Sequence, residues 1–292
     1  MAPSSQLAAF ALDDFETRAG SATSVLRTIA GLYLRHFPGP LPRQQVIDLA
    51  VAAGLQTAAA RTALSRLLEK NLFAAHGAQQ VAVTSNAQAM FARGNRRIFT
   101  AHQMGPEDPW LLVSYSVPEA RRALRHQLRK HFTQLGGGMV NAGLWIFPGH
   151  LEEEVGEAIE ALEASSFAFC FQTSATGPAP LDAQRAAQWW DLERLAGQHR
   201  QFLRTARKLE QLPAQQPAQA YRDYIELVDA WRAIPYLDPG LHPQLLPPDW
   251  PGAQSTALFA SLSQRLEPAA LNYVRSVMGA VPESGQAGML EP

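Results

Sequence analysis

The hydrophobic period changes twice along the chain, and this restricts it to helical and sheet-bearing modules in a fixed order. Up to Lys70 apolar residues recur at helical spacing. Between Trp110 and Gln172 short apolar runs alternate with amphipathic stretches. From Ala183 onward the spacing is helical again. Val25, Ile29, Leu32, Tyr33 and Phe37 line one side of a first helix that opens after Ser21, Thr23 or Ser24 and stops at Pro38-Gly39-Pro40. A second helix is predicted over Arg43–Ala53. A third, capped by Thr57, covers Ala58–Lys70 with Ala60, Leu64, Leu67 and Leu68 inward and Asn71 as its left-handed stop. Leu72–Ala75 and Val81–Thr84 then read as a two-stranded ribbon turning at His76-Gly77-Ala78, and Asn86–Arg93 as a further helix. Three helices and a ribbon in this order describe a winged helix-turn-helix.

The middle segment predicts a strand over Trp110–Val117, a helix over Glu119–Leu135, one or two strands in Met139–Phe147, a helix over Glu152–Leu162 and a strand over Phe167–Gln172. That succession is ferredoxin-like, of βαββαβ type. Helices are then expected over Ala183–Glu210, Ala218–Ile234, Ala253–Arg265 and Ala269–Met278. Prolines at 235, 239, 243, 247, 248 and 251 exclude helix or central strand from Pro235–Pro251. Its Leu241, Leu245, Leu246 and Trp250 predict a packed loop rather than a solvated linker. The expected class is therefore α+β: a winged helix-turn-helix over 21–94, a central ferredoxin-like domain over 95–176 and an all-α domain over 177–280. Tails are expected at 1–20 and 281–292.

Charge sharpens the reading. Residues 1–145 carry 15 Lys or Arg against 8 Asp or Glu, and residues 146–292 carry 10 against 18. A basic front half points to a polyanion. In a helix-turn-helix the second helix of the pair enters the major groove. Here it presents Ala58, Arg61, Thr62, Ser65 and Arg66 opposite its apolar stripe. Arg can donate twice to guanine, for about 1–3 kcal/mol of discrimination. His76, Gln79 and Gln80 mark the wing tip, and Arg43, Arg96 and Arg97 are candidates for phosphate contacts. The partner expected is double-stranded operator DNA.

No apolar run of about 18 residues exists, so no membrane span is expected. No secretory signal is recognised, and the single cysteine, Cys170, fits a reducing cytoplasm. Flanked by Phe169 and Phe171, it reads as a buried small hydrophobe. The eight histidines show no ligand spacing, and Gly136–Gly138 lacks a phosphate-loop pattern. No catalytic residue, metal or cofactor is expected.

Four strings resemble the PaaX family of bacterial repressors. They are Arg61-Thr62-Ala63-Leu64-Ser65-Arg66-Leu67; Arg97-Ile98-Phe99 with Trp110-Leu111-Leu112-Val113-Ser114-Tyr115-Ser116-Val117-Pro118-Glu119; Gly143-Leu144-Trp145-Ile146-Phe147-Pro148; and Trp231-Arg232-Ala233-Ile234-Pro235 with Asp238-Pro239 and Leu245-Leu246-Pro247-Pro248-Asp249-Trp250-Pro251-Gly252. The resemblance implies a homodimeric repressor of an aromatic-acid (phenylacetate-type) catabolic operon. Release would come from an aryl acyl-CoA thioester such as phenylacetyl-CoA, with 177–280 as effector and dimerisation domain. One departure is Asn71-Leu72, where the family commonly has Gly-Trp after the recognition helix. For the effector, Trp189, Tyr221, Tyr224 and Trp231, with Trp190 and Trp250, are candidate aromatic walls, and Arg200, Arg204 and Arg207 candidate phosphate partners. The alternative is a metal-dependent nuclease on the central domain, which also resembles the small CRISPR-associated endoribonucleases. Those enzymes place a metal-binding Asp after a Tyr, where this chain has Tyr115-Ser116.

Overall fold

The computed structural model describes residues 17–174, 181–212 and 216–279. The expected tails at 1–20 and 281–292 lie outside the described residues, apart from 17–20. Helix α1 (Ala22–Leu32) begins at Ser21, whose hydroxyl accepts from Ser24 N at 3.3 Å, a cap worth about 1 kcal/mol. Helices α2 (Arg43–Ala52) and α3 (Thr57–Glu69) follow as the periodicity predicts. Thr57 is the first helical residue rather than the cap, and Gln56 at the cap position makes no side-chain bond. Asn71 takes φ 58° and ends α3.

Strands β2 (Phe73–His76) and β3 (Gln80–Val83) pair antiparallel with Phe73 opposite Val83. A strand that the sequence does not announce, β1 (Leu41–Pro42), joins the other side of β3 through Leu41 opposite Val81. Thr84 accepts from Ala87 N at 3.2 Å and caps α4 (Ser85–Phe99), which runs past the expected end at Arg93.

The central segment is β4 (Trp110–Tyr115), α5 (Arg122–Gln134), β5 (Gly138–Asn141), β6 (Leu144–Pro148), α6 (Glu152–Ala161) and β7 (Ala168–Thr173). The sheet is antiparallel in the order β5-β6-β4-β7, the ferredoxin-like arrangement. Helices α5 and α6 cover one face, burying Leu128, Phe132, Val155 and Ile159 against Leu111, Val113 and Phe147. Trp110 and Ile146 on the other face meet Trp190, Leu241, Leu245 and Leu246, so the proline-rich stretch is packed as expected. It is not free of helix, because Pro235 lies in the short helix Ile234–Leu237 and Pro243 opens a 3-10 turn over Pro243–Leu245. Gly138 is where glycine is required, because a Cβ there would stand 2.6 Å from the Trp190 ring.

Cys170 corrects an expectation. It is exposed, because β7 is an edge strand whose flanking Phe169 and Phe171 are themselves 66% and 56% exposed.

The C-terminal helices differ from the periodicity in two places. The expected helix Ala183–Glu210 is broken into α7 (Ala183–Trp189) and α8 (Leu192–Glu210). Trp190 is drawn into extended backbone, and its indole N–H donates to Gly136 O at 2.8 Å. Asp191 Oδ1 then accepts from Arg194 N at 3.1 Å and restarts the helix. After α9 (Pro217–Trp231) and the short α10 (Ile234–Leu237), the two helices expected around Pro268 are one, α11 (Gly252–Met278), with the proline inside it.

Within the described residues the chain forms two compact units. One gathers 101–174, 181–200 and 234–253; the other gathers 17–100, 201–212, 216–233 and 254–279. This division cuts across the stretch 177–280 that the sequence presents as one helical region. No described helix is long and apolar enough to cross a membrane.

Candidate nucleic-acid interface

The site is built on the core of the second unit. Leu26, Ile29, Val46, Leu49, Ala60, Leu64, Leu67, Phe73 and Val81 are buried, which locks α1, α2, α3 and the three-stranded wing as one body. Burying this stripe leaves the opposite side of α3 in water. Ala58, Arg61, Thr62, Ser65 and Arg66 are all exposed there.

Thr62 Oγ1 donates to Ala58 O at 3.0 Å and Ser65 Oγ to Arg61 O at 3.2 Å. Both hydroxyls therefore rest on their own helix, and their lone pairs and rotor remain available to an incoming phosphate or base. The one carboxylate of α3, Glu69, stands at its far end. The exposed side of the helix carries Arg61 and Arg66, and no acid stands between them.

At the wing tip His76 pairs with Gln80 in register across the turn at Gly77, whose φ is +64°. His76, Gln79 and Gln80 are exposed. Arg43 N donates to Gln79 O at 2.8 Å, so the half-buried Arg43 at the start of α2 is fixed beside the wing. Arg96 and Arg97 lie elsewhere, in the last turn of α4, where cations oppose the helix dipole favourably. Arg96 is exposed and Arg97 half-buried.

The effector candidates fall into both units. In the first, Trp189 is half-buried beside Trp190, and Arg200 pairs with Glu193 at 3.1 Å and Asp249 at 3.2 Å. In the second, Arg204 and Arg207 are exposed, while Tyr221, Tyr224 and Trp231 are buried. Tyr221 Oη donates to Leu49 O at 3.1 Å, and the Trp231 indole donates to Ile98 O at 3.0 Å while stacking on Phe259 at 4.9 Å. Burial pushes both tyrosine hydroxyls well above their ordinary range. These side chains hold helices together rather than wall an open pocket.

Sequence reasoning missed the polar knot beneath them. Asp229, 3% exposed, accepts from Gly20 N and Ser24 Oγ, both at 2.6 Å, from Thr28 Oγ1 at 2.8 Å and from Arg232 Nε at 3.2 Å. Arg232 also donates to Ser24 Oγ at 2.8 Å. The signal in the sequence was Asp229 and Arg232 three apart at the end of the apolar stripe of α9. A charge placed there is buried and needs a partner. A cavity of about 30 Å³ beside the knot is lined by Arg27, Thr28, Met90, Phe91, Ile98 and Arg232, among others. That is room for a water or two rather than for an aryl group.

In the central domain Ser116, at the end of β4, is exposed and its backbone N–H donates to Phe167 O. Among the described residues no group of three or more His, Cys, Asp or Glu is placed to hold a metal ion.

Residues 104–184 match the PaaX protein central Cas2-like domain, and residues 190–276 match the PaaX-like protein C-terminal domain. The Transcriptional repressor PaaX of Escherichia coli (strain K12) is 23% identical over 284 residues, which cover 91% of this chain and 88% of that protein. Among solved structures, the Uncharacterized protein Rv0674 from Mycobacterium tuberculosis aligns over 82% of this chain and 96% of its own, with a TM-score of 0.48 and 19% identity. The two matched domains together take in more than half of the sequence, and the chain belongs to the PaaX family.

Proposed function

We propose that this protein is a non-enzymatic transcriptional repressor that holds operator DNA through α3 and is released by an aryl acyl-CoA thioester. The family to which it belongs and its repressor relative support the regulatory role. The observation that carries the DNA reading is the exposed row Arg61, Thr62, Ser65 and Arg66 on a helix whose other side is locked into the core. Arg61 and Arg66 read bases or phosphates, Ala58 lets the backbone approach, and the wing tip with Arg43 grips the flanking backbone. Arg96 and Arg97 add phosphate contacts.

A homodimer fits the central sheet. Among the described residues strand β7 pairs only with β4; it carries no charge and exposes Phe169 and Phe171. Such an edge lacks the usual protection against pairing with another strand. Two copies would set two recognition helices for half-sites about 34 Å apart, and the thioester would favour a spacing that no longer fits. Arg204 and Arg207 remain open to its phosphates. The phenylacetate operon and the inducer rest on the family likeness.

The test is a gel shift with the promoter of the neighbouring genes. Arg61→Ala with Arg66→Ala should abolish the specific complex while thermal unfolding stays unchanged, and phenylacetyl-CoA should release the wild type. An unchanged complex in the double variant would sink the reading.

A further inference from the structure

The two helices that share one face of the central sheet carry opposite charge. Helix α6 opens with Glu152, Glu153 and Glu154, adds Glu157 and Glu160, and holds no Lys or Arg. Glu152, Glu153 and Glu154 stand in the first turn, where the dipole welcomes them. Helix α5 holds Arg122, Arg125, Arg129 and Lys130, no Asp or Glu, and no acid in its first turn. Arg121 precedes it directly. Cations at a helix start oppose the dipole, so the folding of α5 gains nothing from them there.

The contacts of these arginines separate a paired residue from the open ones. Arg125 reaches Glu119 at 2.7 Å. Arg121 lies over the Phe167 ring at 5.2 Å, and Arg129 touches Met139 Sδ at 3.6 Å. Arg121, Arg122, His126 and Arg129 are exposed. The buried stripe of the same helix is Leu128, Phe132 and Gln134, so Arg122, His126 and Arg129 rise in successive turns on the opposite side.

We propose that the outer face of α5 is a second, sequence-independent contact for the phosphate backbone of duplex DNA flanking the operator. This rests on the DNA-binding reading of α3. The choice of DNA over an acidic protein follows from the side chains. Arg122 and Arg129, two turns apart with His126 between them, offer planar forks to a row of phosphates, each able to take two N–H donors. Such contacts position without reading sequence.

The test uses the full chain with Arg121→Gln, Arg122→Gln and Arg129→Gln combined, titrated against operator and scrambled duplexes across a salt series. Each lost phosphate contact removes about 0.9 from the slope of log affinity against log salt. The triple variant should therefore lower that slope by about 2 to 3 and weaken both duplexes by the same factor, about tenfold or more at low salt. Its discrimination between the duplexes and its unfolding temperature should stay as in the wild type. Replacing the same three arginines by lysine should keep the slope. A wild-type slope in the glutamine variant overturns the inference while leaving α3 as the reading helix. A changed oligomeric state with an unchanged slope also overturns it and makes the face a protein contact. If the wild type binds no duplex at all, both readings fail together.

Discussion

The aromatic residues of β7 and those of α9 stand at opposite extremes. Phe169 and Phe171 lie on an edge strand and face water. Tyr221, Tyr224 and Trp231 are buried, and two of them spend their polar tips on backbone carbonyls of α2 and α4. In the sequence the strand reads as core, while the helix aromatics read either as core or as candidate ligand walls. Aromatic content marks a segment as valuable surface, and what lies against it decides whether that surface is core or contact.

The sharpest way to break this contrast is Trp231→Ala. It removes the stack on Phe202 and Phe259 and the bond to Ile98 O. A loss of about 3–5 kcal/mol is expected, read as a lower denaturant midpoint. A loss below 1 kcal/mol would return Trp231 to the list of ligand walls. Tyr221→Phe should cost only about 1 kcal/mol, since Leu49 O keeps its bond from Ala53 N.

Phe169→Ser with Phe171→Ser should move monomer stability by no more than about 0.5 kcal/mol, yet shift sedimentation towards monomer. Sedimentation equal to the wild type would remove β7 from the proposed dimer. The smallest effect concerns pH. Burial raises the carboxyl of Glu267, which neighbours Tyr33 and Tyr224. A raised folded value means that the native state keeps its proton longer than the unfolded chain. The stability from this group is present at low pH and lost as pH rises through the ordinary value of 4.5. Glu267→Gln should flatten the decline in midpoint over that rise.

What the sequence discloses depends on the range of the contact. The stripe Ala60, Leu64 and Leu67 repeats within one helix, so α3 and its exposed arginines are legible from spacing alone. Asn71 and Ser21 act within a few residues and are equally legible. The break at Trp190 is decided by a carbonyl 54 residues earlier in the chain. Strand β1 is two residues long, one of them proline, and exists because β3 offers it a partner. The fate of β7 depends on its place at the sheet edge, which alternation cannot reveal. The knot at Asp229 joins residues more than 200 positions apart.

That knot has a consequence for engineering. The carboxylate that steadies the start of α1 belongs to α9, so the winged helix-turn-helix borrows part of its foundation from a helix about 200 residues later in the chain. Cutting after the wing and grafting the front piece onto an unrelated domain would strand Ser24 and Thr28 without their anchor. Chimeras should carry α9 along with the head.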